Sequence, residues 1–256
     1  MKFALVDGNR HEAIPGIRAV CPGCGSPVVA KCGLKRLHHW AHRSTITCDR
    51  WSEPETEWHR GWKNEFPPEL QEIRYHTATG EIHIADVRTA SGIVLEFQHS
   101  PISAGERGSR EAFYGSMAWV VNGRRLKRDL SSFRDALNFA RPAATKTRGW
   151  ILSNRCSAIV ERWAGSRCPV LLDFAEADLV PGRQATSSLL WWLRYSRENT
   201  VLVMPLLRQS VIEHYLSGTP MRGLPRLTPL PAQPTRMGLS GFEAYLAARQ
   251  ARRPRF

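Results

Sequence analysis

The sequence is short of acids and of long apolar runs. Asp and Glu number 23 against 36 Lys plus Arg, a formal charge of +13 on 256 residues. No stretch approaches the roughly 18 apolar residues of a membrane-spanning helix. The apolar start breaks at Asp7 and Asn9, so no signal peptide is expected. Cysteine is absent between Cys48 and Cys156, and no internal repeat is visible. These absences point away from a membrane protein and from a disulfide scaffold, and predict a cytoplasmic chain. The charge excess makes polyanions the natural partners, because Lys and Arg that neutralise phosphates release condensed counterions.

What is present falls into three segments. Residues 1–50 are rich in Cys, His and Gly and poor in large aliphatics. Residues 51–142 read as an α/β core. A helix is expected over 52–66, with Ser52 and Glu55 as a capping box and Pro67-Pro68 as its end. Strands follow at 70–76, 81–88 and 93–99, then a helix at 103–117, a strand at 118–121 and a helix at 131–139. Pro142 and the stretch Lys146 to Arg148 suggest a boundary. Beyond it lies an α+β region, 143–256. Strands are expected at 149–153 and 168–174, a Trp-rich helix near 187–196 and a helix near 206–217. A linker over 219–238 holds five prolines. The chain ends in the basic tail Arg252-Arg253-Pro254-Arg255.

The first constellation is a small zinc-binding module. Cys21-Pro22-Gly23-Cys24 is a cysteine pair inside a tight turn, the usual first half of a zinc knuckle. His39, His42 and Cys48 offer the second half. Four of these five are needed, and the favoured set is Cys21, Cys24, His42 and one of His39 or Cys48. A short segment with few large aliphatics gains its stability from such a metal. The alternative is a pair of reduced thiols in a loop.

The second constellation is a pair of acids on a hairpin. In 83–88 and 93–98, Glu96 and Gln98 share one strand face. A three-residue loop, Ala90-Ser91-Gly92, sets Asp86 across from Glu96, with Gly92 in the left-handed position such loops need. Facing carboxylates repel unless a cation lies between them, and oxygen ligands suit Mg²⁺ or Mn²⁺. The alternative is two solvated strand acids, which spacing alone supports equally well.

The run Ile84-Ala85-Asp86-Val87, followed by Leu95-Glu96-Phe97-Gln98-His99-Ser100, resembles the competence protein CoiA-like family, whose nuclease domain belongs to the PD-(D/E)XK superfamily. Glu57-Trp58-His59 with Lys63 looks like that family's acidic first helix. The cysteine pair with His39-Trp40-Ala41-His42 resembles its zinc-finger-like segment, and Arg110 and Tyr114 complete the pattern. The resemblance covers roughly residues 1–125.

It implies a PD-(D/E)XK restriction-endonuclease-like core of helix, three strands, helix and strand. It implies a Mg²⁺- or Mn²⁺-dependent deoxyribonuclease, acting in DNA processing or recombination with DNA-uptake proteins as partners. Asp86 and Glu96 hold the metal in this reading, and Glu57 adds a third oxygen. Gln98 stands where the superfamily usually has lysine, and Lys63 reaches the phosphate in compensation. Arg107, Arg110, Arg124, Arg125, Lys127 and Arg128 are the expected phosphate contacts. The runner-up is a nucleic-acid-binding protein that keeps the fold without turnover; a zinc-ribbon transcription factor ranks third.

Overall fold

The computed structural model describes residues 1–34, 37–43, 48–51, 53–76, 80–143, 149–175, 179, 188–196 and 198–222. The chain forms two compact units. One holds Met1–Ile102 with Tyr114–Trp119, the other Ser103–Phe113 with Val120–Phe256. No helix of the described residues is long and apolar enough to cross a membrane.

The first unit opens with five short strands: β1 (Phe3–Val6), β2 (Asn9–Glu12), β3 (Ala19–Val20), β4 (Pro27–Lys31) and β5 (His39–His42). They form an antiparallel sheet in the order β2-β1-β3-β4-β5. Its apolar cluster is small, Ala4, Ala13, Ala19, Cys21, Val28 and Trp40. So few large side chains leave the sheet dependent on something besides apolar burial.

Helix α1 (Glu57–Lys63) begins five residues later than expected. Thr56 is its cap, Oγ1 accepting the N–H of His59 at 3.2 Å; Ser52 lies outside the described residues. Strands β6 (Gln71–His76), β7 (Ile82–Arg88) and β8 (Val94–Gln98) follow as an antiparallel meander. Phe97 of β8 stacks on Trp62 of α1, ring centroids 5.5 Å apart. Strand β9 (Met117–Asn122) neighbours β8 and runs across the division between the units.

The second unit contains most of α2 (Ala104–Tyr114), then α3 (Lys127–Asn138), β10 (Arg141–Pro142), β11 (Trp150–Ser153), α4 (Ala158–Trp163), β12 (Val170–Asp173), β13 (Leu189–Tyr195), β14 (Thr200–Leu207) and α5 (Arg208–Ser217). The strand order is β10-β11-β14-β13-β12-β9. Phe133 of α3 stacks on Phe174 at 4.8 Å and meets the edge of Trp191 at 5.4 Å. Gly123 lies so close to the Phe174 ring that a Cβ there would fall 2.4 Å from it.

The Trp-rich helix expected near 187–196 is instead strand β13. It pairs with β12 on one side and β14 on the other. A strand buried on both faces reads as an unbroken apolar run, which periodicity cannot tell from a buried helix. Lys146 to Arg148, the basic tail and all but the first four residues of the expected linker lie outside the described residues.

Candidate functional site

The Cys21–Cys24 turn is closed by Cys21 N–H donating to Ser26 O at 2.8 Å and Gly25 N–H to Cys21 O at 2.9 Å. Gly23 N–H points at Cys21 Sγ, 3.2 Å away. A Cβ on Gly23 would lie 3.2 Å from Cys48 Sγ and 3.3 Å from Cys21 Sγ. A side chain there would crowd both thiols, and glycine leaves them room to meet.

The β4–β5 pair carries His42 to the same place. The ligand atoms of Cys21, Cys24, His42 and Cys48 all lie within 4.8 Å of one another. Cys21 Sγ is 3.6 Å from Cys48 Sγ, and Cys24 Sγ is 3.4 Å from His42 Nε2. A tetrahedral zinc, with Zn–S about 2.3 Å and Zn–N about 2.0–2.1 Å, spaces its ligands roughly 3.5–3.8 Å apart. Three thiolates and an imidazole therefore fit Zn²⁺ in both geometry and softness.

His39 is not part of this set, its Nδ1 lying 2.8 Å from Leu37 O. Cys32 Sγ instead faces Ala13 O at 3.6 Å. Burial pushes the Cys24 thiol up, but hydrogen bonds with Ser26, His42 and Cys48 outweigh it and bring it to about 6.

The residue after Cys48 ties this centre to β7. Asp49 Oδ2 accepts the N–H of Ile84 at 2.9 Å, and Oδ1 accepts that of Trp51 at 2.9 Å. Oδ1 also lies 3.1 Å from Nδ1 of the fully buried His83. Trp51 stacks on His83 at 3.3 Å and meets Tyr114 edge-on at 6.0 Å. Ile84 is two residues from Asp86.

The hairpin loop is Ala90-Ser91-Gly92. Thr89 N–H bonds to Ile93 O at 2.9 Å, and Gly92 has φ of 84°. The pairs Arg88↔Val94 and Val87↔Leu95 set the register. Asp86 and Glu96 come next, and there the strands stop bonding to each other directly. Asp86 Oδ2 accepts the N–H of Phe97 at 2.9 Å, and Glu96 Oε1 accepts the N–H of Asp86 at 3.4 Å. Each acid thus satisfies an amide of the other's strand.

Helix α1 reaches the same place. His59 Nε2 stands 2.7 Å from Asp86 Oδ1. Its Nδ1 is buried without a hydrogen-bond partner among the described residues. Burial alone would lower His59, but the charge and hydrogen bond of Asp86 outweigh it and raise it above the ordinary imidazole value. Burial likewise pushes Asp86 up, yet His59 and then Lys63 hold it below the usual carboxylate range.

Gln98 is held by an acid that the sequence did not single out. Its Nε2 donates to Glu53 Oε1 and, at 2.9 Å, to Ser100 O. Glu53 Oε2 accepts the N–H of Ser100 at 3.0 Å. Glu57 is exposed at the first position of α1. Among the described residues, the Cys/His group is the only set of three or more His, Cys, Asp or Glu ligand atoms so closely gathered.

Three expected phosphate contacts lie elsewhere. Lys63 is buried, its Nζ 2.9 Å from Glu55 and 2.8 Å from Glu72. Glu72 also accepts the backbone N–H groups of Lys2 at 2.7 Å and Phe3 at 2.9 Å, so this cation joins α1, β6 and β1. Arg107 is buried and donates to Arg162 O at 2.6 Å and Ala164 O at 3.1 Å. Arg110 is buried and paired with Glu106 at 2.5 Å. An amphipathic helix can turn long cations inward when their heads meet carbonyls or acids, which charge counting does not reveal. Arg124, Lys127 and Arg128 are exposed, and Arg125 is half-buried.

Residues 12–50 match the family model described as "Competence protein CoiA, N-terminal domain". Competence protein CoiA of Bacillus subtilis (strain 168) is 24% identical over 150 residues, which are 54% of this chain and 40% of that protein. The chain thus aligns with less than half the length of this relative. No solved structure gives a significant match. These two similarities support kinship with the competence protein CoiA family, most directly through the segment that carries the Cys/His centre.

Proposed function

We propose that this chain is a metal-dependent nuclease acting on DNA, with residues 51–142 as a PD-(D/E)XK-like core behind a structural zinc module. The observation that carries this reading is the parting of β7 and β8 at Asp86 and Glu96. Two carboxylates on neighbouring strands line one gap, with Gln98 two residues further on. The element order helix, three strands, helix, strand accords with it.

In this reading Asp86 and Glu96 hold Mg²⁺ or Mn²⁺, and waters complete the shell. Bound there, the ion would polarise the scissile phosphate and acidify a water. His59 fixes the rotamer of Asp86, and Gln98 orients the water. Glu57, exposed at the start of α1, would act only through water. Arg124, Lys127 and Arg128 supply sequence-independent phosphate binding, and the net charge of +13 favours it throughout. A place in DNA uptake or recombination is part of the same proposal, and the similarity to a competence protein supports it.

A second reading, DNA binding without turnover, has one observation in its favour: Asp86 and Glu96 each already use an oxygen on a backbone amide. Cleavage assays separate the two. Single-stranded, duplex and branched DNA are incubated with Mg²⁺ or Mn²⁺, with and without EDTA. The nuclease reading expects cutting that EDTA stops and that Asp86→Asn lowers by about a hundredfold or more, with DNA affinity retained. Metal-independent binding with no cutting of any substrate would establish the second reading instead.

A further inference from the structure

Gln98 has one amide group to offer, and the structure limits which end of it is available. Its Nε2 carries two hydrogens. One goes to the Glu53 carboxylate, the other to Ser100 O at 2.9 Å. The second Glu53 oxygen accepts Ser100 N–H at 3.0 Å, so Glu53 is itself held from two directions. Amide nitrogen and oxygen are distinguished by their partners. Both partners here are pure acceptors, a carboxylate and a carbonyl, so the nitrogen faces them. Turned over, the Gln98 oxygen would confront two other oxygens in a buried place, and both N–H groups would lose their partners.

We propose that Glu53 is a positioning residue that makes Gln98 a hydrogen-bond acceptor, leaving its carbonyl oxygen as the group offered to the attacking water. This rests on the nuclease reading and deepens it. A lysine at this strand position can only donate. An acceptor does a different job: it takes a hydrogen bond from the water and turns a lone pair of the water oxygen toward phosphorus. In the hydrolysis, that oxygen bonds to phosphorus and the P–O bond to the leaving sugar oxygen breaks with its electron pair. The water's proton passes to solvent, and the leaving oxygen takes a proton from solvent. Gln98 gains no proton at any stage. The arrangement also accounts for an uncharged residue here, since an ammonium beside Glu53 would pair with it.

The test is a swap of the two groups. Single-turnover cleavage with Mn²⁺ is compared for the wild type, Glu53→Gln, Gln98→Glu, the double variant Glu53→Gln/Gln98→Glu, and Gln98→Lys. Glu53→Gln sets two amides together, so that Gln98 Nε2 and Ser100 N–H compete for its one acceptor oxygen, and Gln98→Glu sets two carboxylates together. Each should lower the cleavage rate about tenfold or more while Mn²⁺ and DNA affinities stay within about twofold. The double variant restores an amide-to-carboxylate bond with an acceptor still at position 98, although Ser100 O loses its donor, and should recover part of the rate lost in either single variant. Gln98→Lys should be as poor as the single variants. A double variant no better than either single, or Gln98→Lys at wild-type rate, would overturn the proposal.

A second readout needs no activity. The two side-chain N–H signals of Gln98 should lie away from free-amide positions and exchange slowly with solvent in the wild type, and in Glu53→Ala the one that faced Glu53 should move to its free-amide position and exchange faster. Unchanged signals would show that Glu53 does not hold Gln98. A wild type inert with every metal would overturn the nuclease reading, and with it the role of the Gln98 carbonyl, whatever the amide signals show.

Discussion

The Cys/His centre and the acid hairpin are both built from short strands and tight turns, yet they stand in different states of assembly. In the first, four ligand atoms already gather within 4.8 Å. In the second, the two carboxylates flank one gap but turn to backbone amides. Ligand charge explains the difference. Sulfur and imidazole ligands can crowd together, while two carboxylates repel until a cation arrives. The Cys/His centre also compensates a small core, six buried residues with one large aromatic, Trp40. The acid hairpin rests on a much larger one, with Phe97, Trp62 and Phe66 behind it.

The largest expected effect breaks the first region. If the Cys/His centre holds the proposed structural zinc, chelation, or replacing Cys21 and Cys24 with Ser, should unfold the five-stranded sheet. Structural zinc contributes on the order of 10 kcal/mol in small modules, more than so small a cluster supplies. Metal content by mass spectrometry and amide exchange over β1–β5 would follow it. Persistent protection in metal-free protein would show that the sheet needs no staple.

Next comes the cation between α1 and β6. Lys63→Met should cost about 3–5 kcal/mol, because Glu55 and Glu72 are then buried near each other without the cation between them, Glu55 keeping only Arg60 and Glu72 only its backbone amides. Urea unfolding measures it. If Lys63 contacted phosphate instead, stability would hold and DNA affinity would fall.

The same network gives a pH dependence. Burial pushes Glu72 up, but Lys63 and the chain's amino terminus outweigh it and hold it far below the usual carboxylate range. A depressed group contributes stability above its unfolded value, about pH 4.3, and loses that contribution as pH falls toward its folded one. The urea midpoint should therefore drop steeply below about pH 4 in the wild type and less in Glu72→Gln. Parallel curves would remove Glu72 from the acid sensitivity.

The smallest effect separates exposed from buried arginines. Arg124→Ala or Arg128→Ala should reduce the slope of log affinity for DNA against log salt by about one, with stability unchanged. Arg107→Ala should leave the slope alone and destabilise the second unit, since it frees two carbonyls at the end of α4. The opposite pattern would return Arg107 to the DNA surface.

What the sequence made legible was local. Gly92 and the spacing around it specify the hairpin loop, because only a left-handed residue closes a three-residue turn there. The cysteine pair announces a knuckle, but the choice between His39 and Cys48 depends on where β5 and the following loop end in space. Glu53 gives no signal: it lies 45 residues from Gln98 and falls in the first turn of the helix expected over 52–66, whereas α1 starts only at Glu57. Nothing in the sequence links His59 to its partner Asp86, 27 residues away. β13 was misread because burial on both sides erases the period on which the reading depends.

The central claim is that the acid hairpin completes itself around a divalent ion while the Cys/His centre is already formed. Titrating Mg²⁺ into zinc-loaded protein, and following the backbone amide signals of Asp86 and Phe97, tests it most directly. Those amides donate to the Glu96 and Asp86 carboxylates. The account predicts that both shift with added Mg²⁺, that Glu96→Gln abolishes the shift, and that signals around Cys21 and Cys24 stay still. Asp86 and Phe97 signals indifferent to Mg²⁺ in a protein that nonetheless cuts DNA would contradict it.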